Sequence, residues 1–172
     1  MDKYYCWACD FSDKTGEGNL ARLFVKKNYS QNNYKIYTVE NYKILNFINS
    51  KILNYKYFLP FIGILFCWHY FIKRKKIVYL NYLPLWNFFL FILLPPKTIL
   101  GPITGGANYK NKFLLRKNIF PIFYKISEIF LNLRKIKIYF STELLKIFLF
   151  KSTIKKSSFN YVLNYYKKKI TQ

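Results

Sequence analysis

Acidic residues are scarce in this chain. Seven Asp and Glu stand against 29 Lys and Arg, a formal net charge of +22 over 172 residues. Such a field favours anionic partners: nucleic acid, an anionic membrane face or phosphate-bearing ligands. No D-x-D pair is present, and no two of Glu17, Glu40, Glu128 and Glu143 stand eight apart. No metal site is expected. Cysteines number three, Cys6, Cys9 and Cys67. An odd count excludes complete disulfide pairing, and no apolar signal segment follows Met1, so a reducing cytoplasmic setting is the simplest reading. There is one histidine, His69, inside an apolar helical stretch where a core role outweighs a catalytic one. No internal repeat is visible. Apolar residues are not scarce; at 52% they exclude disorder and supply one domain with a core.

The chain reads as alternating strands and helices. Residues 4–9 are short, apolar and uncharged, as in a buried strand. The two cysteines within them would point to opposite faces, which suits structural thiols better than a metal or redox pair. A turn-rich loop follows, and from 17 to 28 Leu20, Leu23 and Phe24 share a helical face. Residues 35–39 read as a second strand and 40–56 as a weak helix. Residues 57–72 are uncharged and stop at Lys73-Arg74-Lys75-Lys76, cations that suit a helix C-terminus. Residues 77–80 read as a strand. Pro84 is expected to start a helix over 85–94, which Pro95-Pro96 ends. Residues 98–100 form a strand, 107–117 a basic loop, 120–133 a helix, and 135–140 an alternating strand. Ser141 or Thr142 caps a helix over 143–150. This order predicts an α/β fold with a mostly parallel sheet, Rossmann-like, whose ligand crevice lies beyond the carboxyl ends of the strands.

A membrane hairpin competes with that reading. Residues 77–96 are 20 without a charge, roughly 30 Å if helical, and 57–72 would form the other arm. Asn81, Pro84 and Asn87 inside the longer run count against it.

Two glycine loops follow predicted strands. Thr15, Gly16, Glu17 and Gly18 precede a helix, whose first amides can hold a phosphate or sugar oxygen. Gly101, Pro102, Ile103, Thr104, Gly105 and Gly106 form the second, where paired glycines allow close backbone approach to a ligand. Either is also readable as a plain connection. Asp10 and Asp13 follow the first strand. Each is a candidate to orient a hydroxyl or act as base, or else a loop-capping carboxylate. The basic stretches 73–76, 110–117 and 151–156 read as solvated faces or as attachment to a membrane surface. No nucleic-acid-binding module is recognisable, so nucleic acid is not an expected partner.

With strand, G-E-G loop and helix, then a Leu/Phe helix closed by prolines and G-P-I-T-G-G, residues 4–142 resemble the N-terminal half of GT-B glycosyltransferases, in particular the bacterial group with a G-P-[IV]-x-G-G loop. The resemblance implies an acceptor-side domain spanning 1–150, with 151–172 a basic linker toward a second, nucleotide-sugar-binding domain. It implies that residues 16–18 approach the donor phosphates or the reacting sugar and that 101–106 line the acceptor side. It further implies transfer of sugar from a nucleotide-sugar, a substrate rather than a cofactor, to a glycan or lipid-linked acceptor in cell-surface polysaccharide synthesis. The expected partner is a separately encoded donor domain, with a non-catalytic partner subunit of a split glycosyltransferase as the alternative role, and the expected location is the cytoplasm, peripheral on its membrane face.

Overall fold

The computed structural model describes residues 3–30, 33–42, 58–105 and 114–159. The uncharged run near the start of the chain forms β1 (Tyr4–Trp7), flanked on both sides by parallel strands, β2 (Tyr34–Tyr37) and β3 (Lys76–Tyr79). Tyr34 and Lys76 both stand in register with Tyr4. β4 (Ile99–Leu100) pairs beyond β3, giving the order β2-β1-β3-β4. β5 (Ile138–Tyr139) and β6 (Ser157–Ser158) form a second parallel pair, joined to the first four through a bridge between Ile103 and Phe140.

A parallel sheet must be covered on both faces. The two-residue period puts Cys6, Ala8, Val78 and Leu80 on one face, against Leu20, Ala21, Phe24 and Val25 of α1 (Gly16–Asn28). Trp7, Ile77, Tyr79 and Leu100 belong to the other core, with α2 (Leu59–Ile72), α3 (Phe88–Leu93) and α4 (Leu114–Leu133). The result is a mostly parallel α/β sheet flanked by helices, as the alternation predicts.

Local chemistry sets the element ends. Thr15 caps α1, its hydroxyl accepting from the Gly18 amide at 2.9 Å, and Lys26 and Lys27 occupy the last turn. Pro60 lies in the first turn of α2, where a missing N–H removes no helical bond. Gly63 lets α2 approach the sheet: a methyl there would lie 2.3 Å from the Trp7 indole nitrogen. Arg134, just past α4, donates to the carbonyls of Phe91, Leu94 and Pro95, each at 2.6 Å, and so closes the C-terminus of α3. Arg134→Met is expected to cost about 2–3 kcal/mol, with Arg134→Lys recovering less than half because one ammonium cannot span the fork. Urea unfolding of the three proteins checks this.

The hairpin reading of 57–96 does not match the fold. Residues 58–96 are divided among α2, β3, a loop and α3, and β3 hydrogen-bonds on both sides within the sheet. β-branched Ile77 and Val78 favour that strand, and α2, with 14 residues, reaches only about 21 Å. No helix among the described residues is long and apolar enough to cross a membrane.

Several boundaries also differ from expectation. Pro84 does not start a helix. It forms a parallel bridge with Thr104, while Leu85 N–H donates to Thr104 O at 2.7 Å and Thr104 N–H to Leu83 O at 3.0 Å. The ladder takes its donors from the neighbours of proline, which has none. Helix α4 begins at Leu114 rather than at 120 and carries Pro121 within it. The strand expected from 135 is limited to 138–139 because Lys135 adopts a φ of 53°, a left-handed turn closing α4. The segment over 143–150 is a 3-10 helix (Glu143–Phe148) capped by Thr142 as expected. Beyond it, the expected linker supplies α5 (Lys151–Lys156) and β6, and Phe159 is buried against Phe140, so residues 151–159 pack with the sheet. Of the weak helix expected over 40–56, only the 3-10 turn Val39–Asn41 falls among the described residues; the segment 43–57 and the final residues 160–172 lie outside them.

Candidate functional site

The strand order 2-1-3 sends the chain leaving β1 to one face of the sheet and the chain leaving β3 to the other. A crevice forms at such a switch point, beyond the carboxyl ends of those two strands. Here it is bounded by Cys9 and Asp10 after β1, by Asn81 and Tyr82 after β3, and by the start of α1.

Asn81 ties these three pieces together. It is fully buried. Its carboxamide oxygen accepts from Cys9 N–H at 3.0 Å, and its NH2 donates to the carbonyls of Asp10 at 2.5 Å and Glu17 at 3.2 Å. One backbone donor and two backbone acceptors match the two ends of the amide. Glu17 reaches back in turn, one carboxylate oxygen accepting from Tyr82 N–H at 3.2 Å. Tyr82 adopts a φ of 57°, a left-handed conformation that a tyrosine takes only where its surroundings impose it.

Around this node the first glycine loop closes on itself. Asp10 accepts from Ser12 N–H at 2.8 Å through one carboxylate oxygen and from the Thr15 hydroxyl through the other. Thr15 relays to Gly18 N–H. Gly18 is required by close approach: a methyl there would lie 2.2 Å from the Ser12 carbonyl oxygen. Asp10 therefore holds the loop, the second of the two roles open to it in sequence. Asp13 is exposed on the outside of the loop, 3.9 Å from Arg22, and does not join the crevice.

Glu17 is the carboxylate the crevice presents. Partial burial raises its pKa, the Tyr82 amide works against that shift, and the nearby Asp10 charge adds to it. The Tyr82 phenol is likewise shifted upward by burial and by Asp10 and Glu17. A carboxylate with a raised pKa beside a phenol suits binding a hydroxyl and taking its proton. For a carboxyl whose folded pKa lies above its unfolded one, the native state holds more protons in the window between the two. Stability there falls as pH rises. Glu17→Gln keeps an acceptor for Tyr82 N–H and removes that slope. The variant is expected to match the parent below the ordinary carboxylate range and to exceed it at neutral pH, read from urea midpoints across a pH series.

The second glycine loop opens on the same edge but is strand-like. Gly101 N–H donates to Tyr79 O at 2.7 Å, Ile103 N–H to Tyr139 O at 2.8 Å, and Ser141 N–H to Ile103 O at 3.0 Å. Thr104 bridges Pro84, Pro102 is buried, and Gly105 O accepts from the Tyr124 hydroxyl at 2.9 Å. Residues 101–105 thus span from β3 to β5 as sheet structure. Gly106 lies outside the described residues. The structure gathers Asp10, Thr15, Glu17 and Gly18 around one node and places Gly101, Pro102, Thr104 and Gly105 farther along the same edge.

Sequence reasoning missed Asn81 and Tyr82 as site residues. The available signal was a polar Asn directly after a strand inside an uncharged run, a position that demands a partner.

Burial pushes the Cys6 thiol up to about 12 and the Cys9 thiol up to about 11, so neither is a thiolate at neutral pH. All three cysteines are free. His69 packs edge-on against Tyr42 and Tyr70, and partial burial followed by the Lys73 charge lowers its pKa. Among the described residues no cluster of three His, Cys, Asp or Glu could hold a metal ion. Compared with known protein families, curated proteins and solved structures, the chain has no significant match.

Proposed function

We propose that this chain is the acceptor-side, GT-B-like half of a glycosyltransferase that passes sugar from a nucleotide-sugar to a hydroxyl of a glycan or lipid-linked acceptor. One observation carries the reading: the switch-point crevice presents Glu17, a partly buried carboxylate of raised pKa, beside Tyr82 and at the first turn of α1. The parallel sheet and the opening of both glycine loops on that edge support it, as does the resemblance of residues 4–142. The nucleotide-sugar arrives on a donor domain that closes over the crevice.

Roles follow from geometry. The acceptor hydroxyl lies against Glu17 and its oxygen attacks the anomeric carbon. The bond from that carbon to the diphosphate oxygen breaks, the hydroxyl proton passes to Glu17, and the diphosphate leaves with the bonding pair toward the positive end of α1. Asp10 and Thr15 hold the loop that orients Glu17; Asp13 has no part. Residues 101–105 set the wall rather than the chemistry.

Saturation-transfer NMR on the full chain with a panel of methyl glycosides tests the acceptor role. Transfer to the ring protons of at least one glycoside is expected, with about tenfold weaker binding in Glu17→Ala, the loss of one charge-assisted hydrogen bond. No transfer to any glycoside, or equal binding in the variant, would remove Glu17 from this role.

A further inference from the structure

The outer surface of the helical layer is apolar where a water-facing surface should be polar. On α2 and the residue before it, Phe58, Phe61, Leu65, Trp68 and Ile72 are all exposed, Leu65 at 62% and Ile72 at 76%. Their three- and four-residue spacing makes one stripe along the helix. The stripe continues onto α3, where Phe89, Ile92 and Leu93 are exposed, and the Trp68 indole N–H donates to Leu93 O at 2.7 Å across the junction. With that donor satisfied, the indole ring can be buried without leaving a polar atom unpaired. Contiguous patches of this kind on a soluble surface mark an interaction site.

The carboxyl-terminal end of the stripe meets cations. Trp68, Phe71 and Ile72 share a groove of about 750 Å³ with Arg74, Lys75 and Lys97, at the amino ends of β1, β3 and β4. Among the described residues no carboxylate lines it. The sequence has no acidic residue between Glu40 and Glu128. Glu128 is buried, its carboxylate accepting from Phe150 N–H and Lys125. Asp10, Asp13, Glu17 and Glu143 follow the carboxyl ends of their strands, at the opposite edge.

We infer that this face docks on an anionic lipid bilayer, the stripe of α2 and α3 entering the interfacial region and the cations of the groove meeting lipid phosphates. Charge complementarity selects the occupant. A second copy of the chain would bring the same described lining, which holds no carboxylate to pair with Arg74, Lys75 and Lys97. A bilayer surface offers an apolar interior and fixed negative charge together. In this orientation the groove edge lies on the membrane and the switch-point crevice opens at the other edge of the sheet. The inference does not depend on sugar transfer, and its test reads lipid binding alone.

Co-sedimentation of the full chain with vesicles tests it. One set contains phosphatidylglycerol and phosphatidylcholine in equal parts, the other phosphatidylcholine alone. The protein is expected to sediment with the anionic set and to be released by salt. Paired Leu65→Glu and Ile72→Glu, and separately paired Lys75→Glu and Lys97→Glu, are each expected to weaken anionic-vesicle binding about tenfold or more. A charge-matched pair across the sheet, Lys26→Glu and Lys27→Glu, should change it less than about twofold. All these side chains are exposed, and circular dichroism verifies that each variant folds. Equal loss from both charge pairs would overturn the inference in favour of diffuse attraction by net charge. Absence of vesicle binding would overturn it too, as would a solution dimer that the two apolar substitutions dissociate.

Discussion

Gly101→Ala is expected to be severely destabilising, costing about 4–5 kcal/mol of a total that for such domains lies near 5–15 kcal/mol. A methyl on residue 101 would lie 2.0 Å from the Leu80 carbonyl oxygen and 2.9 Å from its Cα. Both are backbone atoms, so no side chain can rotate aside. Both strands are also fixed: Gly101 N–H donates to Tyr79 O at 2.7 Å and Leu80 N–H to Trp7 O at 2.9 Å. Relief requires β4 to move off β3, which breaks the route from the first four strands to β5 and β6. Gly105→Ala is the control. Its nearest obstacle is the end of the flexible Leu145 side chain at 3.1 Å, and its effect should stay within about 0.5 kcal/mol. Urea unfolding followed by circular dichroism compares the two. A Gly101→Ala protein within about 1 kcal/mol of the parent would contradict this account of the strand contact.

The second large effect belongs to Asn81. Asn81→Ala leaves Cys9 N–H and the carbonyls of Asp10 and Glu17 without their buried partner. A loss of about 3–4 kcal/mol is expected, more than one hydrogen bond accounts for, because buried polar groups left unpaired carry their own desolvation penalty. Asn81→Asp separates polarity from size. It preserves shape and the acceptor for Cys9 N–H but turns a second carboxylate oxygen toward two carbonyl oxygens. At neutral pH it should be no more stable than Asn81→Ala, through repulsion and the burial of a charge. If Asn81→Asp instead matched the parent, the amide NH2 would have no part in holding the crevice.

These two residues show what the sequence could and could not disclose. Elements with local signals were legible. The shared face of Leu20, Leu23 and Phe24 gave α1, and the uncharged run ending in Lys73-Arg74-Lys75-Lys76 gave α2. Alternation of such elements sufficed for a parallel α/β sheet. Gly101 was legible as a position needing glycine, and the close approach that requires it is to Leu80, just past β3. Proline misled at Pro84 because sheet pairing with Thr104 outweighed its preference for a helix start. The basic composition of 151–158 hid a strand whose pairing with β5 depends on backbone atoms alone. Asn81 was hardest to read, since its three partners lie 64 to 72 residues away in sequence. The difference between Asp10 and Glu17 was equally hidden: both follow β1, and only the fold gives Asp10 two donors from its own loop and Glu17 a place at the crevice.

We propose the switch-point crevice as the place where this chain meets its ligand. Amide chemical-shift mapping of the full chain, titrated with a methyl glycoside that shows saturation transfer, tests it most directly. The perturbed amides are expected to cluster at residues 10–18, at Asn81 and Tyr82, and at 103–105, and the cluster is expected to vanish in Glu17→Ala. Perturbations confined to the opposite edge, around Lys75, Lys76 and Lys97, would contradict it.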